Sequence, residues 1–166
     1  FFSALFSPFN FVNDVAGNGG ALSAATSDFY MSSDFLRDEL ICNFSGSTWD
    51  LQRTGISIAP FSFKKLNNSK NTNCPYGTID YDDVTRSVGS TGLTQCDGVN
   101  VSRYDTSIID FYETVMQQQY YNQVFGIRYD NLNQAWLLYP SSTASPLVNG
   151  VAPGSDSVLI FNFFIF

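Results

Sequence analysis

The chain contains no histidine. It therefore lacks the commonest general base and the commonest zinc ligand. A serine or cysteine nucleophile would have no imidazole to activate it. No Gly-x-Ser-x-Gly elbow takes its place. Charge is also scarce, at 14% of residues, and it is one-sided: 8 Lys and Arg against 15 Asp and Glu leave a net charge of −7. A grip on nucleic acid needs many cations on phosphates, so that class is excluded. The three cysteines, Cys42, Cys74 and Cys96, are odd in number and show no CxxC spacing. Neither a disulfide framework nor a zinc site is expected from them; they read as buried free thiols. No apolar run reaches the roughly 18 residues of a membrane helix, and no basic segment precedes an apolar one as in a signal peptide. The chain starts on Phe and ends on "FNFFIF". Both ends read as cut, so a fragment, or a chain with stretches left out, is expected.

What is present points to β-structure. The 166 residues suit one domain, and 44% hydrophobic content can build a core. Aromatics make up 16%, with 16 Phe among them. Many aromatics with little charge predict a β-rich chain with large buried interfaces. Its surface is expected to be covered by other chains as much as by water.

Short alternating segments recur along the chain. Leu40 to Phe44, a Ser45-Gly46 turn and Thr48 to Gln52 read as a hairpin. Phe61 to Leu66 is a strand with Phe61 and Phe63 on one face. Three pieces follow, around Val88, from Leu93 to Cys96 and from Val99 to Tyr104. Gly92 and Asp97-Gly98 separate them, and Asp-Gly signals a type I′ hairpin. Residues Asp105 to Gln123 predict the one helix, capped by Asp105 or Thr106, with Ile108, Ile109, Tyr112, Val115 and Met116 as its apolar stripe. "VFGIRYDNLNQAWLLYPSS", Val124 to Ser142, reads as a complete hairpin that breaks at Asp130-Asn131. A Pro-, Gly- and Ser-rich loop follows. The final "SVLIFNFFIF" is continuously apolar, as in a strand buried on both faces. "NFSGSTWDLQRTG" and "SVGSTGLTQCDG" echo one another: each sets a Gly-Ser-Thr turn before a short strand and ends in a Gly turn. Successive β-blades leave such echoes, and so does coincidence.

Each candidate for chemistry has a plainer alternative. Asp80, Asp82 and Asp83 could gather a cation, but the Gly and Glu of a calcium loop are missing; a solvated acidic loop is preferred. Asp130, Asn131 and Asn133 are read as turn residues rather than a calcium site. Asp110 and Glu113 lie one helical turn apart, as a glycosidase pair might, but surface helix charges are the better reading. Trp49, Trp136, Tyr120, Tyr121 and Tyr129 could stack on sugars, although strand aromatics more often face a core or an interface. The sequons at Asn43, Asn67 and Asn100 are attributed to chance in an Asn- and Ser-rich chain.

The series "FSALFSPFNFVNDVAGNGGALSAATSD", "LRDELICNFSGSTWDLQRTG", "FSFKKLNNS", "VGSTGLTQCDGVNVSRYDTSIID" and "VFGIRYDNLNQAWLLYPSS" resembles β-propeller proteins of phage tails. The nearest family is the nozzle, or tail tubular protein B, with related stopper and hub proteins. The resemblance runs through most of the chain in order, and its strength lies in that order, since each motif is loose. A blade of that family often runs through a Gly and an Asp-Gly turn, here Gly92 to Asp97-Gly98. It continues through a W-x-x-Y/F-P-S hairpin, here Trp136 to Ser141, and a strand like "VLIFNF", here Val158 to Phe163. The family usually adds a polar "NTW" hairpin, where this chain ends in "FFIF". At about 40–50 residues per blade, the chain supplies roughly three to four blades.

The resemblance implies a mainly β fold built from antiparallel propeller blades, whole or partial, with one short helix, as a single domain over residues 1–166. It implies a non-enzymatic structural protein of the virion tail: a homo-oligomeric ring at the DNA channel, in contact with other tail or portal-adaptor proteins. DNA would pass transiently and without sequence-specific contact during ejection, and an acidic wall suits that passage. No catalytic, cofactor-binding or metal-binding residue is expected, and no membrane insertion. Trp136 and Tyr139 then read as packing residues between blades or subunits. The alternative is a receptor- or glycan-binding module of a tail fibre or tailspike.

Overall fold

The computed structural model describes residues 19–56, 59–70, 72–89, 91–108, 111–116, 118–143 and 154–162. These form eleven strands in three antiparallel sheets, so the chain is mainly β. Sheet 1 is a four-stranded meander: β1 (Tyr30–Leu36), β2 (Glu39–Phe44), β3 (Thr48–Arg53) and β4 (Phe61–Asn67). Sheet 2 repeats the plan with β5 (Ile79–Asp80), β6 (Thr85–Gly89), β7 (Gly92–Cys96) and β8 (Val101–Arg103). Sheet 3 has three strands, β9 (Phe125–Tyr129), β10 (Gln134–Tyr139) and β11 (Ser157–Asn162), with β10 in the middle. The Gly-Ser-Thr echo falls on the same place in sheets 1 and 2, the hairpin between second and third strands.

The sheets follow one another in space as they do in sequence. The first strands of consecutive sheets touch, β1 with β5 and β5 with β9. Alternation along each strand then gives every sheet two working faces. Leu36 and Ile41 of sheet 1 pack on Cys96 of sheet 2, with Leu66 and Val101 beside them. This joint is rich in hydroxyls. Ser32 bonds Thr78 at 2.7 Å, and Thr72 donates to Ser87, which pairs with Thr94 at 3.0 Å. The opposite face of sheet 2 is apolar: Ile79, Val88 and Leu93 pack with Ala135, Leu137 and Tyr139 of sheet 3 in the largest core cluster. Phe111 and Met116 close that core from one side, the Phe111 ring meeting Tyr139 edge-on at 4.9 Å. Tyr139 thus packs between two sheets.

Three expectations are corrected here. The stretch from Asp105 to Gln123 is not one helix. It holds a π-helical turn, Phe111–Val115, and a 3-10 segment, Gln118–Gln123, that is kinked at Tyr120. Of the expected stripe, Met116 is buried, while Ile108 and Val115 are over a third exposed. Ile109 and the Tyr112 side chain lie outside the description. Asp105 caps no helix, because its carboxylate is committed to sheet 2. The Asp97-Gly98 hairpin is not type I′, since only Gly98 takes a positive φ, of 89°. The Asp97 carboxylate instead accepts the Val99 and Asn100 N–H groups, at 2.8 and 2.6 Å, and so shapes a wider loop. Those two bonds hold its pKa below the ordinary carboxylate value. Finally, β11 is not buried on both faces: it is an edge strand with alternating exposure. Its continuation, residues 163–166, lies outside the description.

All three cysteines are buried and free, as their number and spacing suggested. Burial pushes the Cys42 thiol up to about 11 and the Cys74 thiol up to about 12; Cys74 also donates to the Val124 carbonyl at 2.9 Å. The nucleophilic thiolate is therefore scarce at pH 8. A disulfide reagent should leave the folded chain unreacted at pH 8 and titrate all three thiols once urea unfolds it. Rapid labelling of the native chain would contradict the buried placement.

Candidate interaction surface

Sheet 3 turns its second face outward. Alternation sends Phe125, Ile127 and Tyr129 of β9 to that side, with Gln134, Trp136 and Leu138 of β10 and Val158, Ile160 and Asn162 of β11. Register aligns them in rows across the three strands. Phe125, Leu138 and Val158 form one, Ile127, Trp136 and Ile160 the next, and Tyr129, Gln134 and Asn162 the last. Two rows are wholly apolar and the third is neutral and polar. Phe125, Ile127, Val158 and Ile160 are 38–47% exposed. An isolated exposed apolar residue needs no explanation, but a contiguous patch on a sheet face marks a site of contact.

Trp136 sits at the centre. Its indole Nε1 donates to Gln134 Oε1 at 3.1 Å, and its ring meets Tyr129 at 5.8 Å. The five aromatics considered for sugar stacking therefore split. Trp136 and Tyr129 share this face. Trp49 is buried between Phe44 and Phe63 and donates to Ser47 Oγ at 2.9 Å. Tyr120 and Tyr121 stand on the 3-10 segment, where burial pushes the Tyr121 hydroxyl up to about 12.

The opposite end of the stack has an outward face too, covered over Cys42, Phe44 and Trp49 by the chain around Ala24 and open at Phe35. On sheet 1 the row Phe35, Leu40, Leu51, Phe63 crosses all four strands on the side away from sheet 2. Phe35 is 64% exposed, and the other three are half-buried. The charges among these outward strand positions are cations, Arg53 and Lys65, the latter lying 4.7 Å from the centre of the Trp49 ring.

One arginine gathers three of the acidic residues. Arg128 points from β9 to Asp80 at 3.1 Å, to Asp82 at 2.8 Å and to Asp130 at 2.5 Å. Asp83 instead meets Arg37 at 3.2 Å. Asp82 and Asp83 are thus exposed, as expected, while Asp80 is half-buried and Tyr81 is buried in the core, and arginines tie all three acids. The sequence carried no signal for this, because 48 residues separate Arg128 from Asp80. Among the described residues no group of three or more Cys, Asp or Glu could hold a metal. Asp130 and Asn131 form a 3-10 turn closed by Asn133 in the left-handed region, as turn residues should. Replacing Arg128 by Ala should cost about 1 kcal/mol, since its partners are largely exposed and water screens them. Thermal unfolding at low and high salt checks this: the loss should shrink in 1 M salt.

Asn43 is buried and Asn100 exposed. Asn67 Oδ1 accepts the Ser69 and Lys70 N–H groups, both at 2.6 Å. Asp110 and the Glu113 side chain lie outside the description. No helix among the described residues is long and apolar enough to cross a membrane. No protein-family model matches the chain, and no curated protein is significantly similar to it.

Proposed function

We propose that this chain is a non-enzymatic structural protein of a phage virion tail: a nozzle- or hub-type ring at the DNA channel, on a propeller framework. One observation carries the reading. Three consecutive antiparallel meanders stack face to face, with their first strands β1, β5 and β9 in succession. Blades of a propeller relate to one another in this way. A net charge of −7 adds support, because an acidic wall repels phosphate and lets DNA pass. The two apolar end faces suit a protein whose surfaces are covered by copies of itself and by other tail or portal-adaptor proteins.

The test is direct. Purified particles of the encoding phage should contain the chain by mass spectrometry. An antibody against it should decorate a ring in the tail in electron micrographs. Absence from particles ends this reading. A receptor- or glycan-binding role is favoured by one feature, the Tyr129–Trp136 pair on the outer face of sheet 3. Glycan-array binding that disappears with Trp136→Ala would select that role instead.

A further inference from the structure

We propose that the outer face of sheet 3 in one copy packs on the outer face of sheet 1 in a second copy, continuing the stack from chain to chain. The inference rests on the assembly role above and specifies its joint. Its first support is continuity. Within one chain the same joint already occurs twice: sheet 1 lays the face bearing Ile41 on sheet 2, and sheet 2 lays the face bearing Val88 on sheet 3. The outer face of sheet 3 is next in that series, and the outer face of sheet 1 is the surface with which a new stack begins.

Composition supports the same pairing. Each end face offers a row of aliphatic and aromatic side chains. The sheet 3 face has no charged strand residue. The sheet 1 face carries Arg53 and Lys65. In a chain at net −7 most surfaces repel their own copies, whereas a neutral face can meet a face that carries cations.

The size of the patch dictates how the assembly behaves. Three strands about 4.8 Å apart and six residues of about 3.3 Å each cover on the order of 300 Å². A single joint of that area is below the size of a stable pairwise interface. The two faces differ, so the contact is head-to-tail, and such contacts close into a ring or run on as a filament. Ring closure uses every joint at once. The transition from monomer to assembly should therefore be steep in concentration, with few open dimers.

The experiment uses two blocked chains, one with Ile160→Asp on the sheet 3 face and one with Phe35→Asp on the sheet 1 face. Both positions are exposed, so circular dichroism and melting should match the parent chain. Sedimentation velocity of the parent should show a cooperative step from monomer to a larger species. Each blocked chain alone should stay monomeric, with self-association weakened at least about a hundredfold by an unpaired buried charge. Mixed together at several hundred micromolar they should form a weak 1:1 dimer and nothing larger, because each supplies the face the other lacks and a single small joint holds them.

A parent chain that stays monomeric at several hundred micromolar overturns the proposal. So does a Phe35→Asp chain that dimerises alone, which would mean that sheet 3 pairs with itself. An unfolded blocked chain is replaced by Val158→Lys or Phe35→Lys, read in the same way. A monomeric chain that is nonetheless found in particles sinks this joint and leaves the tail role standing. A chain that assembles as described yet is absent from particles does the reverse.

Discussion

Asp105→Ala should lower the unfolding free energy by about 3 kcal/mol, a large share of the 5–15 kcal/mol that holds a domain of this kind. The carboxylate is fully buried. One oxygen accepts Arg103 Nε at 2.8 Å, and the other accepts Arg103 Nη2 at 2.9 Å and the Leu93 N–H at 3.0 Å. Gly92 leaves room for this arrangement: its φ is 127°, and a Cβ there would run into the Asp105 carboxylate and the Arg103 guanidinium. Without the carboxylate, the Leu93 N–H is stranded in the core, at a cost of about 1–3 kcal/mol. Arg103 recovers part of its loss, because its side chain is 35% exposed and can turn to water. Asp105→Asn keeps an acceptor for Leu93 and should cost about half as much. Urea titration of the three chains checks this order. Equal midpoints for parent and Ala variant would show that the pair contributes nothing.

The same site predicts acid sensitivity. Burial alone would raise the Asp105 carboxyl. The Arg103 side-chain bonds, the Leu93 N–H and the Arg103 charge outweigh it and hold the group below its ordinary 3.8. The unfolded chain therefore takes up the proton first. The stabilisation is complete above the unfolded value and is lost as pH falls from about 5 toward the folded value. Asp105→Ala should flatten that part of the stability–pH curve.

Gly126→Val should cost about 3 kcal/mol, although the same exchange in an open strand would stabilise it. Gly126 stands on β9 where that strand crosses β5, and its N–H donates to the Tyr76 carbonyl at 2.8 Å. A Cβ there would collide with Cγ1 and Cδ1 of Ile79, which is buried in the core between sheets 2 and 3. The missing side chain is what lets the two sheets approach. Gly126→Val combined with Ile79→Ala should be less unstable than the two separate losses predict, because the second change opens the space the first needs. Strict additivity in that cycle would place the collision elsewhere.

Asp105 and Gly126 show where sequence reading stops. Asp105 before an apolar periodicity looked like a helix cap, since that judgement uses only neighbours along the chain. Its actual partners are the Arg103 guanidinium and the backbone of Leu93, the latter twelve residues back. Gly126 lay inside an evident strand, and nothing adjacent in sequence announces Ile79. Arg128 is a third case, tied to acids on a loop that its own segment does not reveal. The helix failed for a related reason: an i, i+4 stripe suits a helix, but Phe111, which falls outside that stripe, is among the residues the core selected.

Sequence alone determined nine of the eleven described strands, most of their ends and two of the hairpins, but not Tyr30–Leu36 or Ile79–Asp80, because side-chain alternation and turn chemistry act within a few residues. The absence of histidine and the low charge were equally plain there. Tertiary structure decided which face of each strand is covered. The eight apolar residues of "SVLIFNFFIF" cannot indicate from composition whether one face or two will be buried. That depends on how many sheets lie beside β11, and in this chain sheet 2 covers only one side.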